Sequence, residues 1–255
     1  GGAGGGVYYD CVFADNFAHQ DGGGVSDARW VYGCALRNNY ASRQGSGAST
    51  STLRQCEIEG NSGGSSAVRC ALYDCRLNGN PGGGARESRL YNCEVTGNRG
   101  GLASCTAYNC LVRGNTGASR GGGALSGVLY NCVVVDNQAE TSGGGLHASS
   151  AWNSIIRSNR APTGANHSIS KLQYCCVSPA PDGGGNLDVD PGFVNAAAGD
   201  FHLQFGSPCI DAGTNLASVF WADGDGVRRV LDGDGDNGAR IDLGLFEFKD
   251  RKSVV

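Results

Sequence analysis

Hydrophobic residues fall along this chain in short runs of two or three, separated by clusters of Gly, Asn, Ser and Asp, and no stretch carries a helical period. The runs repeat. Segments such as YYDCVFADN, LYDCRLNGN, LYNCEVTGN and LYNCVVVDN align on a cysteine. They give anchors at Cys11, Cys34, Cys56, Cys75, Cys93, Cys110 and Cys132, followed by Ser154 and Cys176. Successive anchors are 23, 22, 19, 18, 17, 22, 22 and 22 residues apart. An asparagine stands five residues after each of the first eight: Asn16, Asn39, Asn61, Asn80, Asn98, Asn115, Asn137 and Asn159. A period near 22 residues admits a leucine-rich repeat or a β-solenoid, and the leucine spacing of the first is absent.

Two residues after the anchors stand Phe13, Leu36, Ile58, Leu77, Val95, Val112, Val134 and Ile156. Anchor and anchor-plus-two share one face of a strand and stack inward as coils pile up at ~4.8 Å each. Mixed polar positions between them form the outer face, where Glu57 is expected beside Arg76, Arg76 beside Glu94, and Arg37 beside Glu59. The pattern predicts an all-β chain: a right-handed parallel β-helix of about nine coils over residues 1–182. The Asp/Gly-rich region 183–255 is expected to complete or cap it. Nine coils make a rod of roughly 40 Å. Asparagine ladders suit the recurring bends, because Asn tolerates left-handed backbone angles and bonds to its own copies above and below. Asn92, Asn109, Asn131 and Asn153 form a second such set.

Composition narrows the class. The chain has 255 residues, of which 44 are Gly and 6 Pro, and the glycines show no three-residue period, so collagen is excluded. Hydrophobic residues reach 40%, too many for wholesale disorder. No apolar run is long enough for a transmembrane segment. The net charge of −4 offers no basic field, so nucleic acid is not an expected partner. A chain that begins Gly1-Gly2 is expected to be processed or incomplete, so it carries no information on a signal peptide.

Candidate chemistry is sparse. The anchor cysteines recur once per coil without CxxC pairs, so they read as reduced, buried small residues that serine can replace. Cys70, Cys105, Cys175 and Cys209 lie outside that column and leave room for one disulfide. Tyr9, Tyr32, Tyr73, Tyr91, Tyr108, Tyr130, Trp152 and Tyr174 precede the anchors by two residues, with Arg54 the exception. Those from Tyr73 to Tyr174 are a stacking platform for sugar rings if exposed, or a ladder packed against the coil corner. His19, His147, His167 and His202 occupy unrelated coil positions, and no catalytic motif surrounds them, so no catalytic residue is assigned. Asn166-His167-Ser168 fits a glycosylation sequon. Asp223, Asp225, Asp232, Asp234 and Asp236 alternate with Gly and offer hard oxygen ligands suited to calcium, although the EF-hand spacing is not met. The other reading is a solvated turn neutralised by Arg228, Arg229 and Arg240. No cofactor is required by any of these features.

The C-terminal run GSPCIDAG (Gly206 to Gly213), followed by DGDGVRR and by Asp242-Leu243-Gly244-Leu245-Phe246-Glu247, resembles the ending of bacterial choice-of-anchor Q β-helix proteins. Leu245 departs from the usual Ala. The coils are also similar to those of polymorphic outer-membrane autotransporters, through Gly1-Gly2-Ala3 and Phe13-Ala14-Asp15-Asn16. The resemblance implies an extracellular or bacterial cell-surface location and a structural or adhesive role. The usual anchor segment is not evident after Phe248. Open strand edges would let such rods associate end to end into fibres. The alternatives are a polysaccharide lyase or hydrolase, by fold analogy, and a module that binds extracellular glycan through the aromatic ladder.

Overall fold

The structure, a computed structural model, describes residues 1–216, 222–232 and 238–249. Three parallel sheets of nine strands each run the length of the repeat region, and every coil contributes one strand to each sheet. They begin at Ala3–Gly4, Val7–Tyr9 and Val12–Ala14 and end at His167–Ser168, Lys171–Gln173 and Cys176–Val177. The expected parallel β-helix of nine coils is therefore present. Its core is a stack of one-residue layers: Leu53, Leu72 and Leu90 from the second sheet face Ile58, Leu77 and Val95 from the third, all sealed from solvent.

Each corner has a chemical cause. Between the second and third sheets a single residue takes the left-handed conformation, as Asp74 (φ 53°), Asn92 (φ 52°), Asn109 (φ 49°) and Asn131 (φ 50°) do. Asn and Asp carry that conformation at low cost, which accounts for the second asparagine set. The anchor follows and turns inward. Its thiol is more than a small hydrophobe: Cys34 Sγ accepts the Cys11 N–H at 3.3 Å and donates to the Tyr32 carbonyl at 3.2 Å. Ser154 Oγ likewise accepts the Cys132 N–H at 3.0 Å, which is why serine can stand in the column. The corner between the first and second sheets repeats the device with Ser51, Cys70, Ser88, Cys105 and Ser149, so Cys70 and Cys105 belong to a second column of small residues. Burial pushes the Cys70 thiol up to about 12 and the Cys105 thiol to about 11, so both stay protonated and unreactive. All twelve cysteines are free.

The third corner carries the asparagine ladder. Each Asn donates its backbone N–H and its Nδ2 to the Oδ1 of the next Asn, and from Asn39 onward the Nδ2 also reaches a carbonyl of the coil before. Asn98, for instance, bonds Asn115 Oδ1 at 3.0 Å through both groups and the Leu77 carbonyl at 2.9 Å. The ladder runs unbroken from Asn16 to Asn159.

The two ends differ. At the C-terminal end Asn166, only seven residues on, accepts both donors of Asn159 and passes its own Nδ2 to the Ser178 carbonyl. Asn166 is thus buried and engaged, and the sequon is a structural closure rather than a glycan acceptor. The C-terminal region begins as the expected cap. Asn186 Oδ1 takes the Cys175 N–H at 3.1 Å, and Leu187 pairs with the last strand. At the N-terminal end Val7, Tyr9, Val12 and Phe17 are exposed.

The register corrects two residues. Ile155 pairs with Cys176 and Trp152 with Gln173, so the ninth anchor is Cys175, not Cys176. Beyond residue 190 the chain goes further than a cap. It folds back along the side of the helix as a strap, where Phe201, Leu203, Leu243 and Leu245 cover Val133 and Ile155 on the outer face of the third sheet. Asn109 and Asn153 clip this strap to the coils through the Ala222 carbonyl and both backbone groups of Thr214.

Candidate functional site

The strap explains the Asp-rich motif. Asp223 is sealed from solvent and both its oxygens are spent: Oδ1 accepts the N–H groups of Asp225 and Val227, and Oδ2 that of Glu247. Arg229, equally buried, bonds Glu247 at 2.9 Å, Asn109 at 2.9 Å and the Leu245 carbonyl at 2.7 Å. Asp242 accepts the N–H groups of Asp211 and Phe248. One guanidinium faces three carboxyls in this pocket. Burial pushes Asp242 up to about 6 and Glu247 to about 8, the latter also through the Asp242 charge. Asp225 turns outward to His202 Nε2 at 2.8 Å, while Asp200 holds Nδ1 at 2.6 Å. The oxygens expected to bind calcium are therefore engaged at Asp223 and paired at Asp225. Asp234 and Asp236 lie outside the described residues, among which no group of three ligating side chains converges with Asp232 or elsewhere.

The aromatic column is a true stack. Ring centroids are 4.9 Å apart for Tyr73 and Tyr91, 5.1 Å for Tyr91 and Tyr108, 5.0 Å for Tyr108 and Tyr130, and 5.1 Å for Tyr130 and Trp152, with nearly parallel planes. Burial, and then the neighbouring phenols, raise the Tyr91 hydroxyl above its ordinary range. Each ring face is covered by the next ring, so only edges are left toward solvent. A sugar stacks on a face. Tyr174 is not in the column: Gln173 lies there and accepts the Trp152 Nε1–H at 3.0 Å, while Tyr174 takes the left-handed corner at φ 51°.

The arginines on the outer face of the third sheet are paired with carboxylates. The register sets Arg37 beside Glu59, Glu57 beside Arg76 and Arg76 beside Glu94, as expected; the Arg37 guanidinium reaches Glu57 at 2.7 Å, Arg76 pairs with Glu94 at 3.4 Å, and Arg113 with Asp136 at 3.2 Å. The edge between the third and first sheets is different. Coils anchored at Cys56, Cys75 and Cys93 are short (spacings 19, 18 and 17), and those on either side are longer. The extra residues build two ridges. One is the paired strands Phe17–Ala18 and Tyr40–Ala41, and the other the paired strands Ala118–Arg120 and Ala139–Ser142. A valley three coils wide, about 15 Å, lies between them.

Glycine makes its floor. Gly63 sits at φ +100° under the Tyr40 ring, where a Cβ would strike the Ala41 carbonyl, and a Cβ on Gly101 would strike the Gly123 carbonyl. Phe17 and Tyr40 stack at 5.0 Å on the first ridge and are 54% and 38% exposed, so one aromatic wall presents surface to solvent. Arg99 and Arg120 line the other side with Ser65, Ala118 and Leu125. Among the described residues neither arginine has an ion pair or side-chain hydrogen bond, in contrast to the arginines of the third sheet. Arg43 and Arg160 stand on the same edge. The valley is thus a concave, cationic, partly aromatic surface on a chain of net negative charge.

No family model and no curated protein matches the chain. Among solved structures it is similar to the pectate lyase Pel9A, with a TM-score of 0.56 and 15% identity over 96% of this chain and 70% of that one. At that identity the likeness shows the β-helix fold alone. A trypsin-treated variant of QnrB1, a plasmid-mediated fluoroquinolone resistance protein, aligns over 69% of this chain and 82% of its own, at 10% identity. Its TM-score of 0.19 carries no argument.

Proposed function

We propose that the protein is an extracellular, surface-associated β-helix of the choice-of-anchor Q type that adheres to acidic polysaccharide through the valley. One observation carries the reading: Arg99 and Arg120, without partners among the described residues, border a glycine-floored depression opposite the exposed Tyr40 and Phe17. Guanidinium groups bind carboxylates in bidentate fashion, and the exposed edges of Phe17 and Tyr40 add apolar surface on the facing ridge. Ser65 adds a hydroxyl for orientation. The glycine floor contributes room rather than donors, since the Gly84, Gly100 and Gly101 N–H groups are all spent on the next coil. The surface location rests on the C-terminal resemblance.

Titration with polygalacturonate and alginate against neutral dextran tests the reading. Binding of the acidic polymers, weakened by salt and by Arg99→Ala with Arg120→Ala, is the expected result. Equal binding of dextran, or an unaffected double variant, would overturn it.

A further inference from the structure

Ten of the twelve cysteines belong to the two inward columns, eight at the anchors from Cys11 to Cys175 and two at Cys70 and Cys105. The remaining two, Cys176 and Cys209, meet across a seam. Cys176 stands one residue past the ninth anchor, so it points to the outer face of the third sheet in line with Val133 and Ile155. Cys209 lies on the strap that covers this face, and both are sealed from solvent. The Cys209 thiol donates to Cys176 Sγ, which in turn donates to the Val189 carbonyl at 3.2 Å. Both backbones are pinned as well. The Cys176 N–H bonds the Ser154 carbonyl at 2.9 Å, the Cys209 N–H bonds Ser207 Oγ at 3.1 Å, and the Cys209 carbonyl accepts the Leu243 N–H at 3.0 Å. The bond from Cys209, against the opposing effect of burial, and then the Arg157 charge lower the Cys176 pKa, while the same bond raises that of Cys209. Cys176 is thus the readier thiolate of the pair. The anchor thiols differ, since their sulfurs accept an N–H of the coil before, as Cys110 Sγ does from Cys93 at 3.4 Å.

We propose that Cys176 and Cys209 form an oxidative cross-linking site that staples the strap to the last coil of the β-helix. The inference is independent of any binding in the valley. It redirects the one disulfide for which the sequence leaves room, because the register puts Cys175 inside the anchor column and brings Cys176 out to meet Cys209. The oxidant is a low-molecular-weight disulfide. While the strap is lifted, the Cys176 thiolate attacks one sulfur of that disulfide, the small S–S bond breaks, and the first small thiolate leaves with the proton that Cys176 gave up. Docking then sets Cys209 on the mixed disulfide. Its sulfur attacks Cys176 Sγ, and the second small thiolate leaves with the Cys209 proton. Two protein thiols are oxidised to one disulfide, and one small disulfide is reduced to two thiols. Oxidising surroundings keep the staple closed. Reducing ones leave the strap to its packing, the Arg229 bonds and the Asn109 and Asn153 clips.

The test equilibrates the full chain with oxidised or with reduced glutathione, alkylates the remaining thiols under denaturing conditions, and maps linked peptides by mass spectrometry. The expected result is one cross-link, Cys176 to Cys209, in the oxidised sample and none in the reduced one, with the ten column cysteines alkylated in both. The oxidised form should melt at least about 5 °C higher, since the bond closes a long loop of the unfolded chain. Cys209→Ser should abolish both the cross-link and the difference in melting temperature, while Cys105→Ser should leave both in place. A cross-link between other cysteines, or twelve alkylated cysteines after oxidation, overturns the proposal. Equal melting temperatures of the oxidised and reduced forms overturn it too, because the bond would then hold nothing. The map of the unmodified protein decides the matter even if neither variant folds.

Discussion

Two surfaces of this β-helix carry arginines, and they use them in opposite ways. On the third sheet arginines are set against carboxylates of the neighbouring coil, as Arg37 with Glu57 and Arg76 with Glu94. At the valley edge Arg99 and Arg120 have no such partner among the described residues. The first arrangement neutralises a flat face between neighbouring strands. The second leaves cationic groups free at a concave one. The unpaired arginines of the concave edge are what the proposed binding role rests on.

The comparison can be broken first from below. Both surfaces hang on the asparagine ladder, so Asn98→Ala should cost about 3 kcal/mol, since it orphans the buried N–H and Nδ2 donors of Asn80. Denaturant unfolding would register it, and a loss under about 1 kcal/mol would show that the ladder is ornament. The next largest effect belongs to the valley. Arg99→Ala with Arg120→Ala should weaken acidic-polymer binding at least about tenfold while the melting temperature stays within about two degrees, because no paired interaction is lost. A drop in stability instead would make these arginines structural. The mirror experiment is Arg76→Ala on the paired face. It should leave binding unchanged and cost at most about 0.5 kcal/mol, since both partners are largely exposed.

A pH series sharpens the contrast from another side. Asp242 and Glu247 have folded-state pKa values raised to about 6 and about 8, so between their unfolded and folded values the native state holds more protons. Strap stability should therefore fall as pH rises through that window. His202, raised by Asp225 and Asp200 against the opposing effect of burial, acts in the same sense: its stabilisation is present at low pH and lost as pH passes its raised value. Faster hydrogen exchange at Leu243 and Leu245 at about pH 9 than at about pH 6, after correction for intrinsic rates, is the expected outcome. The ladder amides of the coils should not follow.

Much of this architecture is legible because the repeat is chemical as well as periodic. Cysteine, the inward aliphatic two residues on and asparagine five on each answer to one bend or one layer. Legibility fails where the repeat does. The ninth coil lacks its asparagine, so spacing alone cannot tell the adjacent Cys175 and Cys176 apart, and it counts Tyr174 into a column that Gln173 completes. Asn166, which closes the ladder, stands seven residues after its neighbour and so lies outside the period. The strap has no internal repeat, and alternating Asp and Gly reads as cation chemistry when backbone N–H groups are in fact the ligands of Asp223. The valley is written in the shrinking anchor spacings, although only the folded ridges on either side turn a short connection into a floor.

The asparagine ladder separates two kinds of length in this molecule. From the first sheet to the Asn of the third corner the count is the same in every coil but the second, which has one extra residue between Ser26 and Trp30, while the stretch from that Asn to the following glycines varies in length and is paired between coils only at the two ridges. Residues can be added or removed there, one coil at a time, without shifting the layers beneath. Depth and width of the concave face are therefore adjustable by insertion and deletion alone, and the rod serves as a ruler on which the wall heights are set independently. A protein built this way can change the shape of one edge without renegotiating how it folds.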